Sequence, residues 1–100
     1  MTEASIVQSI MRWLKSQDAH VIKTYGGPNR RGLPDLIGVY RGRALALEVK
    51  RPGGKPTKLQ EYELGRWAAA GAVAAVVTSV DDVKKIIEEV DTGGEVGEAR

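Results

Sequence analysis

The sequence predicts a small α/β fold: a mixed sheet flanked by helices, in the order α-β-β-β-α-β plus a C-terminal helix. Three observations predict it. Apolar runs at 36–40 and 43–49 are separated only by Arg41-Gly42, the pattern of a tight β-hairpin. Residues 72–78 form an unbroken run of small apolar residues, as expected of a strand covered on both faces. Segments with apolar residues at helical spacing stand before, between and after these runs.

Thr2 is placed to cap a first helix over residues 2–17, with Ile6, Ile10, Trp13 and Leu14 as its buried stripe. Glu3 stands one turn before Ile6 on that stripe. As a first-turn acid it complements the helix dipole. As a carboxylate at the end of a core-facing stripe it is also a candidate third acid for a metal site. Residues 19–25 read as a strand with Val21, Lys23 and Tyr25 on one face. Residues 26–32, with three glycines and Pro28, read as a loop. The hairpin follows, and residues 51–56 form a second loop.

Thr57, with Gln60 three residues later, is a capping box at the start of the next helix. Leu59, Tyr62, Trp67 and Ala70 supply its apolar surface, and Gly71 is placed to end it. After the strand at 72–78, Ser79 or Asp81 caps a last helix reaching Val90, with Val83, Ile86, Ile87 and Val90 inward. The β-α-β step between the parallel strands is expected to be a right-handed crossover. Residues 1–90 are expected to form a single domain, and residues 91–100, rich in Gly and Glu, a disordered tail.

One hundred residues suffice for one core, and the absence of Cys excludes disulfides and thiolate zinc sites. No apolar run approaches the roughly 20 residues of a membrane span. With no signal pattern at the N-terminus, a soluble, cytoplasmic protein is the expectation. The net charge is only +2, but it is unevenly spread. Between residues 19 and 60 stand Lys23, Arg30, Arg31, Arg41, Arg43, Lys50, Arg51, Lys55 and Lys58, against Asp35 and Glu48 as the sole acids. A basic field around two isolated carboxylates suits a polyanion brought to a metal.

The hairpin makes those acids meet. With a two-residue turn, Tyr40 pairs with Arg43, so Asp35 falls opposite Glu48, and Lys50 follows two residues on along the same face. Opposed like charges destabilise a sheet unless a cation lies between them. Hard cations such as Mg²⁺ take one or two carboxylates and complete their shell with water and phosphate. Asp35 and Glu48 are candidate ligands, the Val49 carbonyl a candidate third, and Lys50 a candidate to orient a water or stabilise phosphorane charge. These are the parts of phosphodiester hydrolysis.

The segments Gly32-Leu33-Pro34-Asp35 and Leu47-Glu48-Val49-Lys50 resemble the signature of the PD-(D/E)xK nuclease superfamily, and the element order resembles its restriction-endonuclease-like core. Within that superfamily the chain resembles the virus-type replication-repair nuclease (VRR-NUC) domain, from about Glu3 to Ile87. The resemblance implies that Asp35 and Glu48 bind Mg²⁺ or Mn²⁺ and that Lys50 assists catalysis. It further implies that Glu3 is an upstream helix acid near the metal and that Gln60 orients toward the site. Stand-alone members of this size resemble homodimeric, structure-specific nucleases, including Holliday-junction resolvases, and the small form suggests a phage or bacterial origin.

Lys23, Arg30, Arg31, Arg51, Lys55 and Lys58 flank the site in sequence and are candidates to hold DNA phosphates. No recognition-helix pattern is evident, so binding by shape is expected rather than sequence reading. The functional expectation is a divalent-metal-dependent endonuclease acting on branched DNA. The alternative is a catalytically inactive nucleic-acid-binding module with a nuclease fold, against which the intact Asp35, Glu48 and Lys50 set speaks.

Overall fold

The computed structural model describes residues 1–25 and 31–93, comprising α1 (Glu3–Ser16), β1 (His20–Lys23), β2 (Leu36–Tyr40), β3 (Arg43–Val49), α2 (Lys58–Ala69), β4 (Val73–Val77) and α3 (Val80–Asp91). The strands form one four-stranded sheet in the order β1-β2-β3-β4. The first three are antiparallel and β4 runs parallel to β3, so the sheet is mixed as the sequence predicts.

The hairpin register is the one a two-residue turn requires: Tyr40 pairs with Arg43 and Leu36 with Leu47. Arg41 and Gly42 both have positive φ, 48° and 81°, which defines the type I′ turn whose twist matches the strands it joins. Tyr40 Oη donates to Asp91 Oδ1 at 2.6 Å, and the Arg41 guanidinium lies 3.6 Å from the same oxygen. The C-terminal end of α3 thus holds the hairpin tip. Asp91, which the sequence reading placed in a tail, is the last residue of α3, and the rest of the expected tail from residue 94 lies outside the described residues.

Alternation along β3 sorts the two faces. Leu45, Leu47 and Val49 join Leu36, Tyr40, Val73 and Val77 in the main core, closed by Ile6, Ile10 and Leu14 of α1 and Val83 and Ile87 of α3. Ala46 and Glu48 point the other way and are also buried, on the face that α2 covers. Thr2 caps α1 as its sequence predicts, with Ser5 completing the box, and Trp13 is half-buried at the core margin. Ile86 and Val90 pack against the core, as the inward stripe of α3 predicts.

Two packing expectations are corrected. In α2 the fully buried residue is Leu64, whereas Leu59 and Tyr62 are 43% and 60% exposed. β4 is an edge strand rather than a fully covered one, and Val76 is 37% exposed. Its small residues suit the close approach of α2 instead. The strand expected over 19–25 is shorter, because it pairs with β2 only as far as Lys23.

Candidate active site

The site is built where the β2–β3 ladder ends. Continuing the register, Asp35 lies across from Glu48, on the α2 face of the sheet. The next ladder step would set Val49 against residue 34. Pro34 has no N–H to give, and its carbonyl is taken by Thr24 Oγ1 at 2.6 Å. The Val49 N–H instead donates to Asp35 Oδ2 at 2.8 Å, which fixes that carboxylate at the strand end. The N–H and C=O of one strand residue share a side, so the Val49 carbonyl faces Asp35 too, without a ladder donor. The proline of the Pro-Asp pair is therefore what opens the ladder here.

On the other side of β3, Lys50 N–H donates to Val77 O at 2.9 Å, anchoring the last turn of the strand to β4. The Thr24 N–H donates to Asp35 O at 2.8 Å, so the backbone of Asp35 is tied to the end of β1. Nothing in the sequence reading singled out Thr24. Its signal was a polar β-branched residue between a strand and a glycine-rich loop, which is too common to select.

Glu48 is 2% exposed, and its Oε2 lies 3.4 Å from the Lys50 ammonium, itself 14% exposed. Its other oxygen, Oε1, is buried with no hydrogen-bond partner among the described residues. Burial, and then the Asp35 carboxylate beside it, push the Glu48 carboxyl up to about 7, with Lys50 opposing. A buried carboxylate with one orphaned oxygen, facing a second carboxylate, is an unsatisfied site that a divalent cation would satisfy. Asp35, Glu48 and the Val49 carbonyl form a hard oxygen donor set, and Mg²⁺ needs no more than one or two carboxylates from protein. The residues present thus fit the group that the sequence implies.

Glu3 is not brought to this pair. It is exposed in the first turn of α1, and among the described residues no three His, Cys, Asp or Glu side chains gather at one place. The reason is topological: α1 covers the Leu45–Leu47–Val49 face, while Asp35 and Glu48 lie on the α2 face. Gln60 forms its capping box, with Oε1 accepting from Thr57 N–H at 2.8 Å and Thr57 Oγ1 accepting from Gln60 N–H at 3.1 Å. The cap occupies Oε1 and leaves the amide Nε2 uninvolved.

Arg31, Arg51, Lys55 and Lys58 are exposed, and Lys23 is half-buried with its ammonium 5.2 Å from the centre of the Tyr25 ring. Arg30 lies outside the described residues. Gly32, with φ of +79°, abuts the Leu59 side chain so closely that a Cβ there would sit 2.8 Å from Leu59 Cγ. That contact brings Arg31 to the first turns of α2, near Lys58, while Arg51 and Lys55 lie on the loop that leaves β3 directly after Lys50. The basic residues therefore rim the same end of the sheet as the acidic pair.

No family model matches the chain. Among curated proteins it is similar to "Putative nuclease p44" of Acyrthosiphon pisum secondary endosymbiont phage 1, 42% identical over 55 residues, or 54% of this chain. The match spans 59% of the phage protein, less than two thirds of its length. Among solved structures, one described as "VRR_NUC domain protein" superposes with a TM-score of 0.77 over 100% of this chain and 97% of that one, at 23% identity, a likeness of fold. Another, described as "VRR_NUC domain", superposes with a TM-score of 0.73 at 31% identity, covering 86% of this chain and 94% of that one. That agreement reaches beyond the fold to nearly a third of the residues across almost a whole domain, and on it the chain belongs to the VRR-NUC family.

Proposed function

We propose that this protein is a divalent-metal-dependent endonuclease that hydrolyses phosphodiester bonds in DNA. The observation that carries the reading is Glu48: a buried carboxylate with an orphaned oxygen, opposite Asp35 and 3.4 Å from Lys50. An arrangement that costs the fold stability without a cation points to a chemical use of the pair. Asp35, Glu48 and the Val49 carbonyl would hold Mg²⁺ or Mn²⁺. When bound, such an ion polarises a phosphoryl oxygen and makes water a stronger nucleophile at neutral pH. Lys50 is held by its ion pair at the edge of the donor set, where its ammonium can orient the attacking water or balance charge on the phosphorane.

Branched DNA, such as the Holliday junctions met in DNA repair, is the substrate this reading favours. The basic rim is built of long cations suited to phosphates, and among the described residues no helix is arranged to read bases. A homodimer would present paired sites to a near-symmetric junction. Glu3 is retained in the proposal only as an acid that substrate or metal would have to draw in.

The test is cleavage of a labelled four-way junction beside a linear duplex of the same sequence, with Mg²⁺ or Mn²⁺, against Asp35→Asn. Paired cuts in the junction alone, absent from the variant, support the whole reading. Cutting of both substrates supports the nuclease and removes the junction preference. No cutting with either metal moves the assignment to a binding module.

A further inference from the structure

A second surface, outside the acidic pair, is a groove of about 710 Å³ between α1 and the edge strand β1. Its helical wall is Gln8, Met11, Arg12 and Lys15, the i, i+3, i+4, i+7 set of one α-helical face. Its other wall is β1 itself, with His20, Ile22 and Lys23, and Tyr25 stands at its end. Arg12, Lys15 and Lys23 line it, and among the described residues no carboxylate does. Tyr25 is 74% exposed and Ile22 52%, two large apolar surfaces beside the groove's cations.

The sheet edge adds backbone groups. Thr24 N–H donates to Asp35 O, so the alternate residues Val21 and Lys23 turn their N–H and C=O away from β2, toward the open edge. The groove therefore offers cations, backbone donors and an exposed ring along one line. That line ends at Tyr25, next to Thr24, whose N–H and Oγ1 hold the Pro34–Asp35 backbone. The groove lies on the α1 side and the acidic pair on the α2 side, so whatever leaves the groove at Tyr25 rounds the sheet edge to reach Asp35.

We infer that this groove seats a single-stranded arm of branched DNA, as a flap carries and a fully paired four-way junction does not, with Arg12, Lys15 and Lys23 on phosphates and Tyr25 stacked on a base. The inference rests on the nuclease reading for its direction, and it deepens that reading by naming the strand the protein holds besides the one it cuts. Positive walls without an acid fit a polyanion, and an exposed ring interleaved with cations is the platform on which unpaired bases stack without regard to sequence. A peptide adding to the β1 edge would use the same backbone groups, but its side chains would leave Arg12 and Lys15 unmatched unless it were acidic.

The test is fluorescence anisotropy in EDTA, so that binding is read without cleavage, using labelled oligothymidine, a blunt duplex, and that duplex with a single-stranded arm. Arg12→Ala with Lys15→Ala is expected to weaken oligothymidine binding and to flatten its salt dependence by about 1.4 in log–log slope, at about 0.7 per phosphate contact. Tyr25→Ala is expected to weaken it at least about fivefold. Both should erase the preference for the armed duplex over the blunt one and leave blunt-duplex affinity unchanged. Equal losses on blunt and armed duplexes, or none, overturn the inference. So does displacement of the oligothymidine by polyglutamate as readily as by unlabelled strand, which would assign the groove to an acidic protein segment. A fall in solution mass in the Arg12→Ala, Lys15→Ala variant would assign it to a second copy of the chain and overturn it equally. Wild-type cleavage with Mn²⁺ is scored separately: its absence sinks the nuclease reading, while the binding result still decides the groove.

Discussion

At the scale of single residues, Glu48 makes the metal-free protein sensitive to pH in an unusual direction. Its carboxyl titrates near 7 in the folded chain against an ordinary 4.5. Between those values the folded state holds a proton that the unfolded state has released. Stability is therefore fullest below about 4.5 and is lost as pH rises through 7, by about 1.4 kcal/mol per pH unit and on the order of 3 kcal/mol in all. Urea denaturation in EDTA at a series of pH values should show this decline, Glu48→Gln should flatten it, and saturating Mn²⁺ should restore stability above pH 7. An unchanged slope in Glu48→Gln would assign the titration to another group. Lys50→Ala separates binding from chemistry. Cleavage is expected to fall at least about a hundredfold, while Mn²⁺ affinity by calorimetry stays within a few fold, since the oxygens remain. Loss of metal binding instead would make Lys50 a structural partner of Glu48. The meeting of Asp35, Glu48 and Lys50 on one face was legible in the sequence because a two-residue turn fixes register, and register fixes faces. The anchoring of Asp35 by Val49 N–H was not, because it depends on where the ladder stops.

At the scale of elements, the helices were legible in their caps and less so in their orientation. Thr2 and Thr57 cap as their spacing predicts, and of the two candidates Ser79 and Asp81 it is Ser79 that caps α3. Which sheet face a helix covers is set by the crossover and not by its own stripe, and this is why Glu3 read as pointing at the site and does not reach it. The same gap explains Leu59 and Tyr62: a short helix over an edge strand buries little, and Leu64 alone reaches full burial in α2. The Thr57–Gln60 box offers a clean comparison. Thr57→Ala and Gln60→Ala should each cost on the order of 1 kcal/mol by thermal unfolding. If Gln60 also touches substrate through Nε2, only Gln60→Ala should lower cleavage beyond that loss. Equal activity in the two variants would leave Gln60 as a cap. Gly32 ties this helix to the Asp35 loop, since its φ of +79° and its contact with Leu59 exclude a side chain. Gly32→Ala is expected to destabilise by about 1–3 kcal/mol and to lower Mn²⁺ affinity, because the strain falls on the segment that carries Asp35. Destabilisation with unchanged metal affinity would show that the loop and the site are mechanically independent.

At the scale of the whole molecule, a net charge of +2 is too small to bind DNA by itself. What matters is where the charges sit. Outside the Asp35–Glu48 pair the described acids sit on the helices and at Asp18, with Glu61 and Glu63 on α2 and five on α3, while the fold collects Arg31, Arg51, Lys55 and Lys58 around the end of the sheet that bears Asp35 and Glu48. This segregation was visible in the sequence as a stretch with nine basic residues and two acids between 19 and 60, and the hairpin register already puts loops 31–34 and 51–56 at one end, but the sequence could not say that the start of α2 lies there too. Gly32 against Leu59 settles that. If the rim holds phosphates as ions, each cation contributes its own increment to counterion release, about 0.9 per contact on duplex DNA. Arg31→Ala with Arg51→Ala should therefore flatten the salt slope of duplex binding by about 2, measured by anisotropy in EDTA between about 50 and 200 mM salt. Affinity should fall by the same factor on unrelated sequences, because phosphates are alike everywhere. A fall confined to particular sequences would mean that the rim reads bases. A fall with no change in slope would mean that the two arginines act through the shape of the loops and not through charge.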